Sequence, residues 1–375
     1  MNGQGKLNVE AILSQTGGQN CNIDVLFQDG VVWLARIRLN DPLLPPEDTQ
    51  AYISLSEAST LRFLEETGFP VPTVYYSASK SSKSPIGVPL LLMEKMKGVP
   101  LMWDLTTPSQ RTRVLEQLSD FLLALEKHPF DSTGSIIKSN DPSRLGGFAQ
   151  SQLFDDPTAT IGPFDNLESS LRAIVGQQLR LIANGELSTL AVDHYLSHCW
   201  RMDMIPEVLS IHKDSGFFLK HFDDKGDHIL VDEDFNITAI IDWEFASLEP
   251  KALAFSSPCM LWPVGDFYAG SNNLSSEEIE LAAIFERRGR NDIACLVRDG
   301  RKWQRYLFFI GGGVSHQQEE FEAMFQGLRA AWAENGKEPS PYQTWKDEAL
   351  KKYAGDKQLM QLLQESSAVS QNQSI

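Results

Sequence analysis

The chain has 375 residues, 42% of them hydrophobic, and a formal net charge of −17. This length and apolar content suit one large two-lobed unit or two domains. A surface this acidic repels phosphate backbones and anionic lipid, so the charge argues against nucleic acids and membranes as partners. It tolerates a cationic small-molecule substrate, such as an amine, but it excludes partners better than it selects them, and it leaves the oligomeric state open.

The cysteines and the start of the chain bear on the cellular compartment. The four cysteines are scattered without a C-x-x-C pair, which predicts neither a disulfide framework nor a zinc site and indicates a reducing compartment. The first ten residues contain one basic residue, Lys6, and no long apolar run follows, so no signal peptide is predicted. No stretch approaches the roughly 18 apolar residues that span a bilayer. We therefore expect a cytoplasmic protein.

A mostly antiparallel sheet with one helix is predicted for the first hundred residues. Residues 21–27 and 31–39 have the apolar pattern of strands, and the Asp29-Gly30 pair between them is a strong hairpin signal. Two further strands are predicted, Pro72 to Ala78 and Gly87 to Lys95.

The one helix of this region is predicted from Leu55 to Thr67, after a proline-rich loop at residues 43–49. Glu57 lies on the same helical stripe as Leu61 and Leu64, so an acid stands on an apolar face. A charge placed there needs a partner.

Helices dominate the remainder of the sequence. Apolar residues recur at helical spacing after Pro108, namely Val114, Leu118, Phe121, Leu122 and Leu125. A sheet followed by helices predicts an α+β protein in two lobes, residues 1–95 and residues 96–365. The Ser/Gln-rich residues 366–375 predict a disordered tail.

The most informative segment runs from Phe217 to Glu244. His221 and Asp223 follow an apolar strand, and a polar loop then leads to His228 and a second apolar strand. The chain turns and returns along a mostly apolar strand that ends at Asp242. Carboxylates at the ends of two such strands can lie close together, where one orients a nucleophile and the other holds a metal.

This segment resembles the aminoglycoside phosphotransferase and choline kinase family, whose signature is H-x-D-x-x-x-x-N, then a hairpin, then I-D-W/F-E. Its amino-acid sequence is most similar to uncharacterised fungal members of this family. The resemblance implies a bilobal protein-kinase-like fold, with a small antiparallel nucleotide-binding lobe and a larger, mainly helical catalytic and acceptor-binding lobe. It also implies that Asp223 orients or deprotonates the acceptor, that His221 supports the catalytic loop, and that Asp242 binds Mg²⁺.

The same resemblance assigns the nucleotide site. Arg36 stands at the third-strand position where protein kinases have a phosphate-pairing lysine, with Arg38 on the same face as the alternative. Arg36 is then the expected partner of Glu57. Backbone groups of Glu94 and Met96 are expected to bind adenine, and Gly17-Gly18-Gln19-Asn20 takes the place of the phosphate-covering loop.

Two positions depart from the family pattern. His228 stands where the family has an asparagine that binds the second metal, although Mg²⁺ prefers hard oxygen ligands. Either Asp227 or water replaces that ligand, or one metal suffices, or phosphoryl transfer has been lost. His228 is thus a candidate metal-site residue or a satisfied strand-edge histidine. Phe222 stands where glycine is usual.

These residues lead to three hypotheses about function. The leading hypothesis is an ATP- or GTP-dependent kinase that uses Mg²⁺ and phosphorylates a hydroxyl of a small molecule. The alternative is a pseudokinase that binds a nucleotide or a partner without transfer. Protein kinase activity is disfavoured because Trp243-Glu244 follows Asp242 where Phe-Gly is expected, and because no A-P-E segment follows.

Overall fold

The computed structural model describes residues 19–39, 45–138, 145–156, 159–187, 190–211, 216–308, 315–333 and 337–372. The chain forms two compact units, a first unit of residues 1–163 and 218–248 and a second unit of residues 164–217 and 249–375. These units do not follow the expected lobe boundary after residue 95, which stays a prediction. The antiparallel sheet near the N-terminus and the helices of the second unit confirm the predicted α+β class.

The first unit begins with a four-stranded antiparallel sheet in the order β1-β2-β4-β3. Its strands are β1 (Asn20–Leu26), β2 (Val32–Arg38), β3 (Val74–Ala78) and β4 (Leu90–Glu94). The predicted Asp-Gly hairpin is confirmed, because Gly30 has a φ of 86° and the Phe27 amide donates to the Val31 carbonyl over 2.9 Å. Glycine suits this turn because the position requires a left-handed backbone conformation, which glycine adopts readily.

Helix α1 (Glu47–Glu66) begins at Glu47 rather than at the predicted Leu55. The prolines before it predict a loop, but the φ of proline also suits the start of a helix. Glu47 and Asp48 place negative charge in the first turn, where the helix dipole favours it. The extra turns bury Ile53 and keep Glu57 on the buried face, as predicted.

The remaining strands lie within the first unit or at its edges, and they include the predicted hairpin near residue 230. They are β5 (Val99–Pro100), β6 (Ser135–Ile136), β7 (Leu145–Gly146), β8 (Phe154–Asp156), β9 (Ala159–Thr160), β10 (Phe217–Lys220), β11 (Ile229–Val231), β12 (Ile237–Ile240) and β13 (Ser247–Pro250). Strands β11 and β12 form the hairpin, and β5 pairs with β11. Gly98 precedes β5 with a φ of 111°, and a Cβ there would lie 2.5 Å from Oγ1 of Thr238. Glycine therefore lets the end of the first sheet approach the hairpin closely.

Helix α2 (Pro108–Leu125) fixes the turn of this hairpin. The helix begins with a capping box between Thr107 and Gln110. Gln117 accepts a hydrogen bond from the Ile237 amide over 2.8 Å and donates to the Phe235 carbonyl over 3.0 Å. These bonds hold the hairpin that carries Asp242.

Helices account for most of the second unit. They are α3 (Leu167–Ala183), α4 (Ala191–Ile211), α5 (Lys251–Ala254), α6 (Val264–Tyr268), α7 (Ser276–Arg287), α8 (Asn291–Arg298), α9 (Arg301–Phe308), α10 (Gln318–Ala331), α11 (Tyr342–Lys352) and α12 (Lys357–Asn372). The segment predicted as a disordered tail from Ser366 is helical as far as Asn372. No helix within the described ranges is long and apolar enough to cross a membrane.

Hydrogen bonds to α4 hold the C-terminal helices in place. Asp193 accepts from the Tyr342 hydroxyl and pairs with Lys346 at 2.7 Å. The Tyr195 hydroxyl donates to Asp356 over 3.0 Å. This bond anchors the chain just before α12 begins.

A buried ion pair also stabilises the second unit. Glu278 is fully buried and lies 2.8 Å from Arg301, and the Ser257 hydroxyl donates to it over 2.6 Å. Arg305 donates to the carbonyls of Phe267 and Ser271 over 3.0 and 2.6 Å. We call Glu278, Arg301, Arg305 and Ser257 the Glu278 cluster.

Candidate functional site

Arg36 on β2 contacts three carboxylates of the first unit. Its Nη1 lies 3.1 Å from Oε1 of Glu57 on α1. Its Nη2 lies 2.6 Å from Oδ1 of Asp242 and 2.7 Å from Oε2 of Glu244. The predicted contact between Arg36 and Glu57 is confirmed. A planar guanidinium can serve several carboxylates from separate nitrogens, which the single nitrogen of a lysine cannot do.

The second arginine of this strand binds a carboxylate that the sequence analysis did not assign. Arg38 forms an ion pair with Glu244 and donates to Oδ1 of Asn20 over 3.3 Å. The Asn20 amide in turn donates to Oε2 of Glu244 over 3.2 Å. Arg36 and Arg38 lie on one face of β2 because side chains alternate along a strand. The charge directly after the buried Trp243 is the sequence signal that could have identified Glu244.

We call Arg36, Arg38, Glu57, Asp242 and Glu244 the Arg36 cluster, in which two arginines face three carboxylates. Burial opposes the charge of Arg36, but the carboxylates of Glu57, Asp242 and Glu244 raise its pKa above the usual value. Burial raises the pKa of Glu57 to about 7, against the effect of Arg36. Burial also opposes the charge of Asp242, yet the Arg36 guanidinium lowers the Asp242 pKa overall. The cluster thus keeps Asp242 ionised.

The backbone that carries Asp242 is strained. Asp242 and Phe245 have φ angles of 62° and 66°, in the left-handed region that non-glycine residues avoid. Trp243 between them is buried, and its indole nitrogen donates to the Ile240 carbonyl over 3.0 Å. Strained residues persist where the surroundings determine their conformation, and they cluster at functional sites.

His221 supports the loop that carries Asp223, as predicted. Its Nε2 donates to the Ile241 carbonyl over 2.9 Å, which connects the loop to the residue before Asp242. Its ring stacks on that of His228 with centroids 4.2 Å apart. Burial lowers the pKa of both histidines, that of His228 to about 3, so both rings are neutral.

Asp223 is half exposed and has a cationic partner. Lys225 lies 2.7 Å from Oδ2 of Asp223 and 4.0 Å from Oδ2 of Asp227. Its hydrogen bond to Asp223 raises the pKa of Lys225. Lys220 holds the same loop by pairing with Asp224 at 2.8 Å. The sequence analysis did not give Lys225 a role, although its position two residues after Asp223 was a usable signal.

The donor atoms allow Mg²⁺ at Asp242 but do not favour it at His228. The Asp242 side chain is 45% exposed, and one of its oxygens, Oδ1, binds Arg36. Mg²⁺ commonly binds one or two carboxylates and completes its shell with water and substrate phosphates. No group of three or more His, Cys, Asp or Glu side chains within the described ranges is arranged to hold a metal. His228 is buried, and its Nδ1 accepts from the Gly226 amide over 3.3 Å, which agrees with the strand-edge alternative.

The predicted adenine contacts lie at the end of β4. The Glu94 amide donates to the Thr73 carbonyl over 2.9 Å, so this amide already has a partner. Met96 follows in the connection to Gly98. The roles of Glu94 and Met96 stay predictions. Residues 17 and 18 of the expected phosphate-covering loop lie outside the described residues, whereas Asn20 contacts the Arg36 cluster.

A strand cation paired with a helix glutamate, next to an aspartate that can hold a metal, is the arrangement that kinases need for phosphoryl transfer. Residues 43–264 match the sequence model of the phosphotransferase enzyme family. The match covers more than half of the chain, and the chain belongs to this family.

One curated relative is the "Clavilactone A biosynthesis cluster protein Y" of Ampulloclitocybe clavipes, which is 25% identical over 266 residues. The alignment covers 64% of this chain and 62% of that protein. The chain therefore spans less than two thirds of the length of this relative.

Three solved structures are similar at low identity. The Plasmodium vivax ethanolamine kinase is 13% identical with a TM-score of 0.49, and 85% of this chain and 81% of that chain are covered. A putative aminoglycoside phosphotransferase from Ralstonia eutropha is 14% identical with a TM-score of 0.48, over 89% and 92% of the two chains. A thermostable mutant of aminoglycoside phosphotransferase APH(4)-Ia in complex with AMP-PNP and hygromycin B is 17% identical with a TM-score of 0.47, over 84% and 91%.

Proposed function

We propose that this protein is a small-molecule kinase that transfers the γ-phosphoryl group of ATP or GTP to a hydroxyl of its acceptor. The observation that carries the proposal is the contact of Arg36 with both Glu57 and Asp242. In kinases a cation–glutamate pair of this kind positions the nucleotide phosphates, and catalysis is mostly positioning and charge neutralisation.

Each group has a distinct part in the proposed reaction. Arg36 pairs with the nucleotide phosphates, and Asp242 is the residue that would hold Mg²⁺. Mg²⁺, when bound, neutralises charge on those phosphates. Asp223 orients the acceptor hydroxyl and receives its proton as the oxygen–phosphorus bond forms. The bond between the γ-phosphorus and the bridging oxygen breaks, and its electron pair leaves with the nucleoside diphosphate.

Lys225 is a positioning residue in this proposal. Its contact with Oδ2 of Asp223, at 2.7 Å, holds the carboxylate in position. It also adds positive charge next to the carboxylate that receives the proton. Backbone groups of Glu94 and Met96 bind adenine in the same proposal. A cytoplasmic location and an acceptor with an amine remain parts of the proposal that rest on composition.

A pseudokinase is the second candidate, and His228 is the observation that favours it. A buried neutral imidazole stands where the family has its second metal ligand. Such a protein would bind nucleotide at the Arg36 cluster without turnover.

The two candidates differ in acceptor-dependent release of ADP. The experiment incubates the protein with Mg²⁺ and ATP or GTP against a panel of small-molecule alcohols, and nucleotide binding is measured in parallel. The kinase proposal expects nucleotide diphosphate release that depends on one class of acceptor and is lost in Asp223→Asn. Nucleotide binding without release across the panel supports the pseudokinase, and absence of nucleotide binding rules out the kinase and leaves only a pseudokinase that binds a partner.

A further inference from the structure

An aromatic pair adjoins the two candidate catalytic carboxylates. Phe222 directly precedes Asp223 and is 47% exposed. Its ring lies 6.3 Å from that of Phe245, measured between centroids, at an angle of 71°. Phe245 follows Asp242 by three residues and is half-buried. We call Phe222 and Phe245 the aromatic pair.

The position of Phe222 is not explained by the core of the first unit. The other large apolar side chains around it on β10 and β11 are buried, as are its neighbour His221 and Trp243. The exposed phenyl group of Phe222 keeps apolar surface in contact with water, which is unfavourable. A bound apolar group that covers the ring would remove this surface from water.

The backbone conformation of Phe245 also indicates that the aromatic pair has a role beyond core packing. Its φ of 66° would suit glycine, and a phenylalanine there raises the free energy of the native state. The peptide unit that follows it is held at both polar atoms, since the Phe245 carbonyl accepts from Nε2 of Gln150 over 3.3 Å and the Ala246 amide donates to the Trp243 carbonyl over 3.3 Å. The strained turn therefore fixes the ring beside Phe222.

From this juxtaposition we infer that the aromatic pair binds the acceptor, and that the acceptor is an aromatic alcohol whose hydroxyl is attached to, or lies next to, a flat apolar ring. This inference rests on the proposed kinase function. Two tilted phenyl rings offer a face and an edge, with which a third ring can pack favourably. The half-exposed carboxylates of Asp223 and Asp242 adjoin these rings in the chain, so that one loop pair offers both a ring-binding surface and a proton acceptor.

The chemistry of the transfer agrees with this class of acceptor. A phenolic hydroxyl has a pKa of about 10, as in tyrosine, and gives up its proton more readily than an alkyl alcohol. The proton passes to Asp223, the acceptor oxygen bonds to the γ-phosphorus, and the nucleoside diphosphate leaves with the electron pair of the broken bond. No further reactant is required.

The test compares an aromatic diol with its saturated counterpart, and the binding measurements separate ring recognition from the greater acidity of the phenolic hydroxyl. Hydroquinone and 1,4-cyclohexanediol are matched in size and hydroxyl spacing, and hygromycin B and ethanolamine represent cationic acceptors. kcat/KM is measured with saturating Mg²⁺ and ATP for wild type and for Phe222→Leu, which keeps an apolar side chain and removes the ring. Binding of each compound in the presence of Mg²⁺ and AMP-PNP is measured by calorimetry.

We expect hydroquinone to be preferred over cyclohexanediol. Phe222→Leu should lower kcat/KM for hydroquinone by about two- to ten-fold, mainly through KM, because the binding free energy of one aromatic contact corresponds to a factor of this size. The nucleotide KM should not change. Equal use of both diols, a preference for the cationic acceptors, or the same loss for every acceptor in Phe222→Leu overturns the inference.

Failure of the acceptor inference and failure of the kinase proposal give different results. Nucleotide binding with neither binding nor phosphorylation of hydroquinone overturns the inference and leaves the kinase proposal standing. No nucleotide binding at all overturns the kinase proposal. Phe245→Leu provides a second variant that keeps the left-handed strain while removing the other ring, and the inference expects it to weaken hydroquinone binding as well.

Discussion

The two units each contain an arginine cluster, and the clusters differ in whether one of their charged side chains is exposed to solvent. In the Glu278 cluster, one carboxylate receives hydrogen bonds from Arg301, Ser257 and the Ser275 amide. Burial lowers the pKa of Arg305 to about 9, and this arginine donates to the carbonyls of Phe267 and Ser271 and to the Asn272 side chain. This cluster is closed, and its groups hold the fold.

The Arg36 cluster has the opposite balance. Three carboxylates face two arginines, and Asp242 keeps a half-exposed carboxylate on a strained backbone. Burial opposes the Arg36 charge, yet the carboxylates raise its pKa, whereas no such excess of acid surrounds Arg305. The half-exposed carboxylate of Asp242, which Arg36 keeps ionised, is available to a cation. We infer that the closed cluster is structural and that the open one is the functional site.

The largest effect is expected for Asp223→Asn, which changes the candidate base without disturbing either cluster. Loss of a positioned proton acceptor lowers kcat by about 10²- to 10⁴-fold. Because Asp223 is half exposed, the free energy of unfolding should change by less than about 0.5 kcal/mol. Acceptor kinetics and urea unfolding test this together. A variant with kcat near that of wild type would remove Asp223 from the mechanism.

The second prediction separates the two clusters by stability. Glu278→Ala leaves the buried Arg301 without the carboxylate that it contacts and should lower the free energy of unfolding by about 3–5 kcal/mol. Glu57→Ala should cost less, because Arg36 keeps Asp242 and Glu244 as partners. Urea unfolding of both variants measures the difference. Equal losses would mean that the clusters do not differ in the way described.

The third prediction concerns pH. Burial lowers the pKa of His228 to about 3 in the folded protein, while an unfolded histidine titrates near pH 6.5. Because the folded pKa is depressed, the stability that this group contributes is fully present above pH 6.5 and is lost as the pH falls toward 3. His228→Asn should reduce this acid loss by up to about 1.4 kcal/mol per pH unit.

Urea unfolding at pH values between about 7 and 4 measures this slope. The matched control is Gln317→Asn, which changes an exposed uncharged side chain of the second unit and neither adds nor removes a titratable group, so the slope should stay unaltered. A slope that is identical in wild type and His228→Asn would show that His228 is not held neutral by burial.

The smallest effect is expected for Arg36→Lys. A lysine keeps the charge but has one nitrogen, so it cannot contact Glu57 and the two other carboxylates from separate atoms. The free energy of unfolding should fall by about 1–2 kcal/mol, with nucleotide binding retained. Arg62→Lys is a control outside the cluster. Loss of nucleotide binding in Arg36→Lys would mean that the site requires the guanidinium itself.

Local patterns in the sequence predicted much of the fold and part of the site. Features that depend on neighbouring residues were predicted correctly: the Asp-Gly turn, the strands of the first sheet and the placement of Glu57 on a buried helix face. The contact of Arg36 with Glu57 was predictable because a buried charge requires a partner. The start of α1 at Glu47 was missed because prolines are common both in loops and at the first turn of a helix.

The contacts that were not predicted join distant parts of the chain. Glu244 meets Arg36 across more than two hundred residues, and although the charge after Trp243 marks Glu244, it does not indicate that this acid reaches β2. The left-handed φ of Phe245 and the proximity of its ring to Phe222 follow from the buried Trp243 and the bonds of Gln150, which depend on tertiary packing. Propensity alone would place glycine at such a position.

The most direct test of the central claim is the thermal stability of wild type, Asp242→Asn and the control Glu233→Gln with ATP or GTP, each with and without Mg²⁺. A ligand that binds only the folded state raises the melting temperature. We predict a nucleotide-dependent rise that needs Mg²⁺, persists in Glu233→Gln and disappears in Asp242→Asn. A rise of equal size in Asp242→Asn, or none in wild type, would contradict the assignment of the Arg36 cluster as the phosphoryl-transfer site.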